Sequence, residues 1–183
     1  MNKYFRALIE IPTAFIKTAF IKIARGKNAK LSFVAAISPS AEMTVDKGAM
    51  ISVGEKFRQR SGSHIRVRSN AELLIGKNVS INHNCMIVCH EKIEIGNDVQ
   101  FSPNVMIYDH DHDFRVNGGV KEMKYKSSPI KIGNNVWIGA NSVILRGAVV
   151  GDNSVIAAGS IVNGIVPENS VLVQKRMNEI KRY

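Results

Sequence analysis

Residues 132–162 read IGNNVWIGANSVILRGAVVGDNSVIAAGSIV, a run of six-residue units each opening on Ile or Val. Ile132, Ile138, Ile144, Val150, Ile156 and Val162 fill the first position of the unit. Val136, Ser142, Ala148, Ser154 and Ser160 fill the fifth, where only small or branched side chains occur. A fixed short period of this kind is a solenoid signature. Six residues give a short strand and a turn, three units close a triangular coil, and coils stack at strand spacing, roughly 4.8 Å. An isolated coil cannot bury its apolar columns, so stacking is obligatory. Both columns are expected to face inward. Glycine or another small residue after the aliphatic suits a tight corner that a bulky Cβ would strain.

The same frame recurs upstream as IGKNVS and INHNCM over 75–86, and as IGNDVQ and FSPNVM over 95–106. Coils are expected to start near Val53, Ile75, Ile95 and Ile132, at spacings of 22, 20 and 37 residues. The last spacing exceeds one coil by about 19 residues, a loop of a length that is uncommon unless functional. It leaves the solenoid directly after IYDHDH, over about 109–128.

At 183 residues, 45% hydrophobic and 22% charged, the chain suits one packed domain. The formal charge is +10, but residues 1–30 hold seven Lys/Arg against one Glu and 174–183 hold four against one. The body between them is nearly neutral, so the positive charge belongs to the ends. Cys85 and Cys89 are too few for a disulfide framework and fit a reducing compartment, the cytoplasm. Cys85 falls in an inward fifth position and reads as a small core residue. The basic run KFRQRSGSHIRVRS, 56–69, reads as a solvated edge. It lacks the aromatic interleaving of a nucleic-acid face, and no nucleic-acid partner is expected.

Near the N-terminus, Phe5, Leu8, Ile9, Phe15, Ile16, Phe20 and Ile23 form an apolar stripe at helical spacing with lysines and arginines opposite. Pro12 interrupts it, so two short helices are expected. Glu10, Lys17 and Lys22 interrupt the apolar stretch and no small-residue cleavage site follows, so neither a membrane span nor a signal peptide is expected. The favoured reading is that the stripe packs on the rest of the protein or on a neighbouring subunit. The other reading is peripheral contact of residues 1–30 with an anionic membrane surface.

The repeat over about 73–173 resembles the hexapeptide-repeat acyltransferases, close to the galactoside and maltose O-acetyltransferases and to surface-polysaccharide O-acetyltransferases. The resemblance implies a mainly β fold, a left-handed parallel β-helix. Left-handed crossovers run against the general right-handed rule, so handedness rests on the resemblance alone. The implied organisation is a basic helical segment over 1–30, the β-helix acyltransferase domain over 31–173 and a basic tail over 174–183. It further implies a homotrimer with active sites between neighbouring β-helices, acetyl-CoA as acyl donor along the groove, and a sugar or glycan acceptor under the long loop. No metal is expected.

On these residues the resemblance puts the catalytic histidine at His112 and its companion asparagine at Asn82. His83, Tyr108 and Trp137 are the candidate acceptor-side residues; His83 reads equally as interface or groove, and Trp137 equally as an intersubunit contact. Gly139, Ala140, Ala158 and Gly159 line the implied cofactor path, with Lys175 and Arg176 near its phosphates. The chain departs from the family's pattern at His90, where an acidic residue is common, at Asn163-Gly164 in place of Thr-Lys, and at QKRM in place of Gly-x-Pro.

The chemistry is consistent with that assignment. A sugar hydroxyl is a poor nucleophile at neutral pH, so acyl transfer needs a base with a pKa near 7, and histidine supplies it. The tetrahedral oxyanion needs a fixed donor such as a backbone N–H or an asparagine amide. Asp109, Asp111 or Asp113 could orient the imidazole, and His110 reads as exposed and dispensable. Two rivals stand beside this reading. One is a zinc enzyme hydrating carbon dioxide, with ligands among His83, Cys89, His90, His110 and His112. The other is a β-helix scaffold without catalysis.

Overall fold

Inward-facing aliphatic side chains stack in register along three flat parallel sheets of seven, seven and six strands. The computed structural model describes residues 3–175 and residue 181. Along the first sheet Leu31, Val53, Ile75, Ile95, Ile132, Val150 and Val166 lie above one another. Along the second the column is Ile37, Gln59, Ile81, Phe101, Ile138, Ile156 and Leu172. Along the third it is Met43, Ile65, Ile87, Ile107, Ile144 and Val162. These columns and the small fifth-position residues fill the interior of a left-handed parallel β-helix. The coil starts near Val53, Ile75, Ile95 and Ile132 are therefore observed. One further coil precedes them, beginning with the strand Ala29–Leu31.

Two local requirements explain the hexapeptide. The fourth position of successive units is left-handed: Asn135, Asn141, Gly147, Asn153 and Gly159 have φ between 53° and 77°. Glycine and asparagine tolerate that conformation best. The asparagines also bond up the stack, Asn135 Nδ2 to Asn153 Oδ1 at 3.0 Å and Asn153 Nδ2 to Asn169 Oδ1 at 3.1 Å. The glycine after the aliphatic serves a different purpose. A Cβ on Gly139 would sit 2.5 Å from the Ala158 backbone nitrogen, so the absent side chain lets consecutive coils close together.

The run 56–69 is a full part of the second coil rather than a solvated edge. Phe57, Gln59, Ser63, Ile65 and Val67 turn inward, and Arg58, Arg66 and Arg68 turn outward with the strand period of two.

The N-terminal segment corrects the expectation of two short helices. It forms one helix, Lys3–Arg25, with Pro12 inside it. Proline removes an N–H and crowds the preceding turn. The carbonyl it leaves without its helical donor is that of Leu8, and the Thr13 hydroxyl donates to the next one, that of Ile9, at 2.8 Å. Most of the apolar stripe faces away from the solenoid of its own chain, although the Phe15 ring packs on that of Phe33 with centroids 5.0 Å apart. The buried stripe of the helix is Glu10, Ala14, Thr18 and Ile21, and it covers the open N-terminal end of the first coil. Lys17 Nζ donates to the carbonyls of Ser38, Pro39 and Ala41, and Arg25 Nε donates to the Val45 carbonyl at 2.6 Å. Glu10 pairs with Arg60 at 2.7 Å. Small side chains let the helix approach the coil end, and cations satisfy carbonyls that have no further coil to bond.

The long loop leaves where it was expected. It is a two-stranded antiparallel ribbon, His110–His112 with Tyr125–Ser127, joined through a short 3-10 turn, Gly119–Glu122. Its root is closed by the Ser128 N–H donating to the Asp109 carbonyl at 2.9 Å.

Candidate active site

The sequence-derived site residues fall on two edges of the triangular solenoid. Asn82 and His83 turn the corner between the second and third sheets, directly after Ile81. The corners of the following coils carry Ser102 to Asn104, then Gly139 to Asn141, then Ala157 to Gly159. A ladder of backbone bonds joins them: Asn104 N–H to His83 O at 3.0 Å, Asn141 N–H to Pro103 O at 3.1 Å, and Gly159 N–H to Ala140 O at 2.8 Å. Asn82 Oδ1 accepts the His83 N–H at 2.8 Å, and His83 Nδ1 lies 2.7 Å from the Ser61 hydroxyl. Trp137, more than half exposed, stands on the outer face of the second sheet beside this edge and donates through Nε1 to Ser102 Oγ at 3.0 Å. The structure thus brings Asn82, His83, Trp137, Gly139, Ala140, Ala158 and Gly159 to one edge. Gly159 is glycine for its own backbone, φ 72°.

Tyr108 and His112 lie on the next edge, where the third sheet passes to the first. Tyr108 ends the strand Met106–Tyr108, its hydroxyl 3.3 Å from Met86 Sδ. His112 ends the outgoing ribbon strand and is exposed, its ring tilted against Tyr125 with centroids 4.7 Å apart. The third sheet separates the edges. Its strand Met86–Cys89 alone spans four residues, about 13 Å at ordinary strand rise. Asn82 and His112 of one chain therefore do not meet. Lys175 is exposed near the C-terminal end, and Arg176 lies outside the described residues.

The aspartates of IYDHDHDF do not orient His112. Asp111 pairs with Arg146 at 2.5 Å and Asp113 with Lys126 at 3.2 Å, which stiffens the ribbon. Asp109 is fully buried and clamps the preceding coil's corner: its Oδ1 accepts the His90 N–H and its Oδ2 the Glu91 N–H, both at 2.8 Å. His110 is also not exposed as expected. It is half-buried, 3.2 Å from Asp109 Oδ1 through Nδ1, and stacked on His90 at 3.6 Å between ring centroids. Burial, with the neighbouring His110, pulls the His90 pKa below its usual 6.5.

Sequence reasoning missed Tyr125, whose ring meets those of His90 at 4.5 Å, His110 at 5.4 Å and His112 at 4.7 Å. Only the ribbon register, His112 opposite Tyr125, could have found it. Cys85 and Cys89 are both buried thiols whose pKa values burial pushes up. At Cys89 the Asp109 charge pushes the same way, so neither reads as a nucleophile. Among the described residues no three His, Cys, Asp or Glu side chains are grouped to hold a metal ion, which does not favour the zinc reading. No described helix is long and apolar enough to cross a membrane.

Residues 129–164 match the family described as Bacterial transferase hexapeptide (six repeats). The chain is 30% identical over 146 residues to WbbJ of Escherichia coli K12, which is named as a lipopolysaccharide biosynthesis O-acetyl transferase. That match covers 73% of this chain and 72% of WbbJ. It is 45% identical over 101 residues to the galactoside O-acetyltransferase of E. coli K12, covering 53% of this chain and 47% of that protein. Against this and other curated relatives, the match spans only about half of the relative's length. Among solved structures, the hexapeptide-repeat acetyltransferase VCA0836 of Vibrio cholerae O1 biovar eltor, in complex with acetyl-coenzyme A, superimposes with a TM-score of 0.58 at 29% identity, covering 68% of this chain and 64% of that one. Repeat, coil stacking and relatives agree, and the chain belongs to the hexapeptide-repeat acyltransferase family.

Proposed function

We propose that the protein transfers an acetyl group from acetyl-CoA to a hydroxyl of a sugar or polysaccharide precursor. The observation that carries this reading is the edge that begins at Asn82 and His83 and continues through Gly139, Ala140, Ala158 and Gly159. Side chains this small let an extended pantetheine arm lie against the backbone, with its thioester toward Asn82 and its nucleotide toward the basic end of the chain. WbbJ is named for O-acetyl transfer in lipopolysaccharide biosynthesis, the second relative for O-acetyl transfer to galactosides, and VCA0836 was solved with acetyl-CoA.

In this reading three copies assemble with cyclic symmetry, so that the His112 edge of one faces the Asn82 edge of the next. The His112 imidazole takes the proton of the acceptor hydroxyl as its oxygen attacks the thioester carbonyl. The Asn82 amide of the adjacent copy, or a neighbouring backbone N–H, stabilises the oxyanion. The intermediate collapses, the C–S bond breaks, and the imidazolium returns the proton to the CoA thiolate. No covalent acyl-enzyme is needed when both reactants are held in place. Tyr125 steadies the His112 ring, and Trp137 and Tyr108 flank the acceptor.

The test is transfer from labelled acetyl-CoA to a panel of sugars, nucleotide sugars and lipid-linked glycans. Acceptor-dependent label in a hydroxyl ester supports the proposal. CoA binding with no transfer to any hydroxyl, or transfer only to amines, contradicts it.

A further inference from the structure

The N-terminal helix is turned the wrong way round for a structural cap. The side chains it buries against the solenoid are Glu10, Ala14, Thr18 and Ile21, only one of them large and apolar. The side chains it presents outward are the bulky ones. Leu8, Ile16, Phe20 and Ile23 are 73%, 67%, 72% and 85% exposed, and Phe5 and Phe15 are each 56% exposed. At 100° per residue these positions fall on one half of the helix surface, opposite Ala14. Apart from Phe15, whose ring meets that of Phe33 with centroids 5.0 Å apart, nothing in the solenoid's capping requires them, because the other capping contacts come from the opposite face. Contiguous exposed apolar surface of this extent marks an interaction site.

The charges around this face point to its partner. Residues 1–30 hold seven Lys/Arg, and the one acidic side chain, Glu10, is turned inward and neutralised by Arg60. Arg6 and Lys22 flank the apolar face, and the exposed Lys27 and Lys30 follow its C-terminal end. A second copy docking by the same face would bring these cations toward their equivalents. A surface of anionic headgroups over acyl chains complements both the charge and the apolar band. We infer that the helix Lys3–Arg25 lies flat on an anionic lipid bilayer, its Phe5/Leu8/Phe15/Ile16/Phe20/Ile23 face immersed in the headgroup boundary. The helix is tied along its length to the first coil, through Lys17 to the carbonyls of Ser38 and Pro39 and through Arg25 to that of Val45, so it is held in the plane rather than across it. The acetyltransferase reading is not needed for this inference.

Flotation of the full chain with vesicles of phosphatidylcholine, with and without phosphatidylglycerol, tests it, alongside the double variant Ile16→Glu/Phe20→Glu. The expected result is binding that depends on phosphatidylglycerol, weakens at high salt, and falls by about a hundredfold or more in the variant. An unchanged melting curve for the variant, and unchanged CoA binding, separate loss of the lipid contact from loss of the fold or of the proposed site. Absence of vesicle binding, or equal binding with and without phosphatidylglycerol, overturns the inference. So does a lipid-free assembly that is larger for the wild type than for the variant, since a second copy would then occupy the face.

Discussion

Replacing Asp109 with alanine removes the carboxylate that joins the root of the ribbon to the preceding coil. Each of its two backbone hydrogen bonds, from the His90 and Glu91 amides at 2.8 Å, is charge-assisted. Bonds to a charged group contribute about 1.5–3 kcal/mol each. Glu91 is exposed, so water can replace its lost partner, and the lower end of the sum, about 3 kcal/mol, is the better figure. For a chain of this length that corresponds to a fall of roughly 6–12 °C in Tm. Asp109→Asn rescues little, because one carboxamide oxygen replaces two acceptors and the amide group then faces an N–H donor. Asp111→Ala is the matched control: its pair with Arg146 is exposed on both sides, and surface pairs contribute about 0–1 kcal/mol. Thermal melting followed by circular dichroism, with amide exchange at His90 and Glu91, reads the effect. Equal melting of the Asp109 and Asp111 variants, or protected His90 and Glu91 amides in Asp109→Ala, would refute the clamp.

Gly139→Ala should destabilise by about 1–3 kcal/mol through overpacking, because its Cβ meets backbone of the next coil. Gly164→Ala, where a Cβ meets nothing within 4 Å, should melt like the wild type. The folded protein holds His90 below its free value of 6.5, so the unfolded chain binds more protons there. Stability should therefore decline as the pH drops below about 6.5, and His90→Gln should flatten that part of the pH–Tm profile. His112→Ala should retain acetyl-CoA binding and lose 10²–10⁴-fold in transfer, roughly the worth of a general base. His110→Ala should keep more of the rate but melt earlier, because its ring is half-buried on His90. Equal rate losses with unchanged melting would contradict that division of roles.

The solenoid was legible where its period is unbroken. From Ile132 to Val162 every first position is aliphatic and every fifth small or branched, and all of those side chains are buried. The first coil was not read, and the run 56–69 was misread, because Gln59 and Ser63 occupy inward positions there and the coil is lengthened to 22 residues. A hydrophobic stripe reveals that a helix is amphipathic, but not which face meets the protein. The buried stripe beside Ala14 holds a single large apolar side chain, Ile21, among Glu10, Ala14 and Thr18, and so carries almost no signal. The ribbon was invisible for a related reason. His110–His112 and Tyr125–Ser127 hold no apolar alternation, and pairing alone makes them strands. At the site, residue identities were legible, whereas the division of Asn82 and His112 between two edges needed the coil geometry.

That division is tested most directly by subunit mixing. Asn82→Ala and His112→Ala chains, each nearly inactive alone, are denatured together in equal amounts, refolded, and assayed for acetyl transfer. If each site takes His112 from one chain and Asn82 from the next, random assembly leaves about one site in four intact. Recovery to about a quarter of wild-type activity is the predicted result. Mixtures that regain nothing, although the refolded chains assemble and bind CoA, would contradict a site shared between copies.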